Sequence, residues 1–164
     1  MLTRWIMAGA ATMALGGAAG AQELLTEKNL SLAIANEIAQ ATMASCTASG
    51  FRVTVTVLDR AGEVKMMIRG DGTNPHTVEN SRRKAYTSRT LGVPSAQFAE
   101  EYFKPTNTRV AQGTLPGFIA LAGALPIKVG NETIGAVGVS GAPGGDKDEV
   151  CAKAGIDKVA DKLK

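Results

Sequence analysis

The chain has 164 residues, 18 Lys+Arg against 15 Asp+Glu, and a formal net charge of +3. That mild excess is dispersed except at Arg82-Arg83-Lys84, and aromatics are scarce, so the basic stripe of a nucleic-acid surface is missing and that role is excluded. One histidine and two cysteines exclude a multi-histidine zinc site, a C-x-x-C redox pair and a C-x-x-C-H haem attachment.

The chain opens "MLTRWIMAGAATMALGGAAGAQ". One cation, Arg4, precedes an apolar run and small residues ending Ala19-Gly20-Ala21, the pattern of a secretory signal peptide cleaved after Ala21. The run is too rich in Gly and Ala for a stable span, which wants about 20 strongly apolar residues. The expectation is a periplasmic or secreted protein of residues 22–164, one domain, with no stable membrane insertion once the leader is removed. The leader takes the sole tryptophan, Trp5, and one cation, leaving 17 Lys+Arg against 15 Asp+Glu, or +2. In an exported chain, Cys46 and Cys151 are expected to form a disulfide, with two free buried thiols as the alternative. Each lies in a helical-looking segment, so a bridge requires the two terminal helices to pack side by side.

In chain order, "LTEKNLSLAIANEIAQATMASCTASG" reads as a helix with Thr26 as N-cap, apolar residues at three- and four-residue spacing, and Gly50 as its stop. From Phe51 the period changes to two: Phe51, Val53, Val55 and Val57 alternate with Arg52, Thr54 and Thr56, a half-buried strand. "DRAG" turns the chain and "EVKMMIR" returns as the second strand of a hairpin. A helix is expected from about Pro75 to Leu91, ended by Gly92, then a shorter one after Pro94. "PTNTRVAQGTLPG" has no periodicity; "FIALAGALPIKVGNETIGAVGVSG" holds about three strands; a glycine-rich loop leads into a C-terminal helix with Asp146 near its start. Strands joined by short turns predict an α+β domain, an antiparallel sheet with helices mainly on one face.

"VTVLDRAGEVKMMIRGDG", "SRRKAYTS" and "PIKVGNETIGAVGVSGAPGGDKDEVCAKAG" resemble the GlcG/HbpS family of haem-binding-type domains over nearly the whole mature chain. The resemblance implies a sheet of about five antiparallel strands, a higher homo-oligomer and, in exported members, haem binding, often described as haem-degrading. It fixes fold better than activity.

Against that background His76 is the candidate axial ligand, since a neutral imidazole donates a lone pair to haem iron. On a helix from Pro75, His76, Asn80, Arg83 and Thr87 share a face, and Arg83 lies roughly 10 Å along the axis from His76, a span that suits iron and propionate. Arg83 and Lys84 are candidate carboxylate partners, Lys84 matching the family's K-A-x-T lysine; adjacent helix residues diverge by about 100°, so the whole basic run cannot serve one pocket. The bland readings are a solvated histidine and a solvated helix edge. Arg69 and Asp71 read as an ion pair closing a turn or as a ligand-facing pair. "GVSGAPGGDKDE" lacks the G-K-[ST] of a phosphate loop, and Asp146 and Asp148 satisfy the helix dipole, so it reads as structural. Met66 and Met67 read as core, with an axial thioether as the alternative. No residue constellation supports catalysis; haem breakdown would rely on the iron's oxygen chemistry and an outside reductant. The rival readings are a module for a small organic acid or corrinoid near Arg69, Asp71 and Lys84, and a purely structural oligomeric subunit.

Overall fold

A computed structural model describes residues 24–164; the expected leader, residues 1–21, lies outside them. The order is α1 (Leu32–Ala48), β1 (Thr54–Leu58), β2 (Val64–Arg69), α2 (His76–Leu91), α3 (Ser95–Tyr102), a four-residue α4 (Val110–Gly113), β3 (Ala124–Val129), β4 (Glu132–Ser140) and α5 (Gly145–Lys158). The sheet is antiparallel throughout, in the order β2-β1-β4-β3.

Period-two alternation decides which layer each strand residue meets. Val55, Val57, Val137 and Val139 join Ala35, Ile38 and Ala39 of α1 and Ala152 of α5 in the main core. The opposite face meets α2: Thr54 Oγ1 bonds Thr77 Oγ1 and Thr56 Oγ1 bonds Ser81 Oγ, both at 2.8 Å and buried. The antiparallel α+β architecture is as expected, while α2 takes the face opposite α1 and α5, so the sheet is enclosed. β1 is therefore buried along its whole length, its threonines shielded because α2 supplies hydroxyl partners for them. Gly138 lets α2 sit directly on β4, since a Cβ there would collide with Ser81 O and Ala85 N.

The sheet has four strands, not about five. Residues 118–123 stay irregular, and α2 claims the backbone at their start: Arg83 donates to Phe118 O, and Thr87 Oγ1 bonds both Ile119 O and Ile119 N. The N-cap also differs. Ser31, not Thr26, caps α1 by accepting from Ile34 N at 3.2 Å. Upstream, Asn29 Oδ1 accepts from Leu30 N and from Arg60 N, pinning an extended segment to the β1–β2 turn and burying Leu30.

Cys46 and Cys151 are joined, with Cα atoms 5.4 Å apart, and α1 packs along α5 as a bridge between them requires. No helix among the described residues is long and apolar enough to cross a membrane.

Candidate functional site

A cleft of about 580 Å³ opens at the end of the sheet where β1 enters and β4 leaves. Its walls are the approach to β1 (Gly50–Arg52), the turn and first residues of α2 (Gly72–Thr77), Leu121-Ala122, and the loop Ser140–Gly145 at the start of α5. The N-terminal ends of α2 and α5 both border it, so the partial positive charge of two helices faces the opening.

His76 is the first residue of α2, exposed, and on the cleft wall. Lys84 lies two turns further on the same helix and forms part of the floor. It is 5 % exposed, and its ammonium donates to Val139 O at 3.1 Å and to Asp148 Oδ2 at 2.8 Å. Asp148, on α5, also accepts from Ala142 N at 3.1 Å, which ties the cleft's glycine-rich wall to the ion pair. Burial pushes the Asp148 carboxyl above its ordinary range, against the opposing pull of Lys84 and the Ala142 amide. Gly123 makes room for this arrangement: a Cβ there would stand 2.6 Å from Lys84 Nζ and 3.0 Å from Asp148 Cβ.

The cleft brings His76 and Lys84 together but not the other candidates. Arg83, half-buried, turns to Phe118 O. Arg69 closes its turn through Thr73 Oγ1 and Thr73 O at 3.1 and 3.2 Å, and Asp71 beside it is exposed. Met66 packs against the main core, and neither Met66 nor Met67 lines the cleft. Three contributors escaped the sequence reading. Arg52, exposed beside Gly72, is the cleft's remaining cation once Lys84 and Asp148 cancel. Asp148 is a buried counter-ion, where spacing suggested only a helix-dipole residue. The Gly141–Gly145 loop walls the cleft, where the sequence reads as a structural loop. A motif search misses such sites, because the partners come from opposite ends of the chain. Among the described residues no group of three or more His, Cys, Asp or Glu could hold a metal ion.

A family model described as haem degrading protein HbpS-like matches residues 30–157. The chain belongs to this family. A crystal structure of HbpS is 33 % identical, with a TM-score of 0.78 over 85 % of this chain and 96 % of that one. The Klebsiella pneumoniae protein ORFY is 23 % identical, with a TM-score of 0.77 over 85 % and 97 %. A crystal structure of a PduOC–haem complex is 17 % identical, with a TM-score of 0.71 over 79 % and 94 %, and shows a shared fold. Among curated proteins none matches.

A tetrapyrrole-sized ligand suits this cleft on three observations. Its volume falls within the roughly 300–1,000 Å³ typical of cofactor sites. The exposed imidazole offers an iron ligand, and Phe51, Leu121 and Pro143 supply apolar contact. Arg52 supplies a guanidinium for a carboxylate.

Proposed function

We propose that this protein binds haem or a similar tetrapyrrole non-covalently in the cleft, outside the cytoplasm, for capture, buffering or sensing. His76 would ligate the iron in this reading, and Arg52 with Lys84 would receive the propionates, in place of the Arg83 that helix spacing suggested. The observation that carries it is the chain's only histidine, exposed on the wall of a cofactor-sized cleft in an HbpS-like fold. The family's description as haem degrading and the haem complex of PduOC support the choice of ligand. The leader-like residues 1–21 and the Cys46–Cys151 bond support export, because disulfides persist in oxidising compartments. Exposed Phe103, Val110 and Leu115 on the α3–α4 side favour assembly of copies, as the family resemblance implied. Haem, when bound, supplies redox and oxygen chemistry that the side chains lack, so slow degradation with an external reductant fits the same site.

The test is a haemin titration of the mature protein, His76→Ala and Arg52→Ala, followed at the Soret band. The wild type should saturate at one haem per chain, and His76→Ala should lose or alter the spectrum. Arg52→Ala should keep the spectrum and bind roughly ten- to a hundredfold more weakly, the loss of a charge-assisted hydrogen bond. Identical spectra in wild type and His76→Ala would overturn the ligand assignment.

One observation favours a second reading, a small organic acid: the cleft is lined mostly by glycines and polar residues, with Arg52 and Lys84 converging on it. That reading requires binding to survive His76→Ala and to vanish in Arg52→Ala.

A further inference from the structure

Lys84–Asp148 is the one ion pair among the described residues with both side chains under a tenth exposed, at 6 % and 3 %; in every other pair each side chain is at least a quarter exposed. Burying two charges is costly, and replacing such a pair by apolar residues is often neutral or stabilising, so the pair is weakly explained by stability alone. Its position suggests another use. Both residues line the cleft, so a bound molecule meets them directly. An ammonium has three hydrogens; Val139 O and Asp148 Oδ2 take two, and the third has no acceptor among the described residues. A buried cation with a spare donor in a cleft wall is poised to accept an anion, but the Asp148 carboxylate already neutralises it.

We propose that Lys84 and Asp148 form a proton-coupled anion latch, in which a ligand carboxylate takes the Lys84 ammonium while Asp148 takes up a proton and keeps its bond from the Ala142 amide. This rests on the cleft being the ligand site and adds its regulation. Proton balance is simple: the site gains the ligand's negative charge and loses that of Asp148, so the floor's net charge is unchanged. The charges around Asp148 agree with this. Lys84 reaches it from α2, Asp146 stands in the same first turn of α5, and Arg52 and His76 face the cleft from the β1 approach and from α2. Neighbouring Glu149 points elsewhere, to Ala96 N and Gly123 N. Burial already favours the neutral carboxyl at Asp148, and an anion seated beside it pushes the same way.

Because binding takes up a proton, affinity should fall as pH rises, by up to about tenfold per pH unit for one whole proton. Haemin affinity measured at the Soret band between pH 6 and 9 provides the test, comparing the mature wild type with Asp148→Asn and Lys84→Met. Titration of groups outside the pair is common to all three, so the difference in slope isolates the pair. Asp148→Asn, neutral at every pH, should bind more tightly than wild type at high pH and lose this part of the slope. Lys84→Met should bind more weakly at low pH and lose it too. Either variant suffices if the other fails to fold. Calorimetric titration at one pH in two buffers of different ionisation enthalpy gives a second check, the wild type being expected to take up more protons on binding than the folded variant. A wild-type slope retained in the folded variant, or equal proton uptake by wild type and variant, overturns the latch while leaving haem binding intact. No saturable Soret change in the wild type at any pH overturns the haem reading and the latch together.

Discussion

Lys84 concentrates the energetics of the site in one side chain. Removing one partner of a buried pair leaves the other charge unsolvated, at a cost of about 3–5 kcal/mol. Lys84→Met should therefore lose about that much stability at pH 7 by urea unfolding. The deficit should narrow as pH falls, because Asp148 escapes its unpaired charge by protonating, which burial favours. A loss under about 1 kcal/mol, or one independent of pH, would show that the pair is solvated in solution. Helical spacing made His76 and Lys84 legible as members of one helix, and motif resemblance singled out the lysine. Arg52 was not legible: in the sequence it reads as a solvent-facing place in an alternating strand, and what gives it meaning is Gly72 and the Gly141–Gly145 loop arriving beside it. Asp148 was hidden for the same reason, since an acid in the first turn of a helix has a sufficient local explanation and its buried partner lies on α2.

At the scale of elements, α5 links the cleft to the covalent frame. Its first turn carries Asp148, its second carries Cys151, and the bridge to Cys46 fixes it along α1. The pairing spans 105 residues, and a loop of that length confines the unfolded chain by about 4–5 kcal/mol in the entropy model, often less in practice. Cys46→Ala/Cys151→Ala should lower the urea midpoint by an amount equivalent to about 3–5 kcal/mol. Haemin affinity should change less than threefold, because the contacts that place the first turn of α5, Asp148 to Lys84 and to Ala142, do not involve the bridge. Affinity falling in step with stability would show that the disulfide, and not the ion pair, sets the cleft. The hairpins and α2 were readable because turns and periodicity are local signals. The extra strand expected within residues 118–141 was a false reading of an apolar run, since pattern cannot tell a strand from a segment whose carbonyls are taken by Arg83 and Thr87 of a helix. The placing of α2 opposite α1 and α5 was likewise beyond reach, because buried threonines on β1 look like solvent-facing ones until Thr77 and Ser81 meet them.

For the molecule as a whole, the ion pair and the helix packing combine in how stability responds to pH. Two carboxyls of α5, Asp148 and Glu149, are held above their ordinary values chiefly by burial; amide bonds from Gly123 and Ala96 oppose the shift at Glu149, and Lys84 and the Ala142 amide oppose it at Asp148. A raised carboxyl pKa means that the folded state binds more protons than the unfolded chain in the window between the ordinary and raised values. Stability from these groups is therefore fully present below that window and falls as pH rises through it. Glu79 works the other way: Arg82, by hydrogen bond, lowers its pKa, so its contribution fades only below the ordinary carboxylate value of 4.5, and an exposed pair of this kind contributes little. The urea midpoint should accordingly fall as pH rises above the ordinary carboxylate values of 3.8 and 4.5, and Glu149→Gln should shrink that fall without abolishing it, leaving the share of Asp148. Should the wild-type midpoint show no such fall, the two carboxyls would be titrating as solvent-exposed groups, and the buried floor of the cleft would have to be open to water.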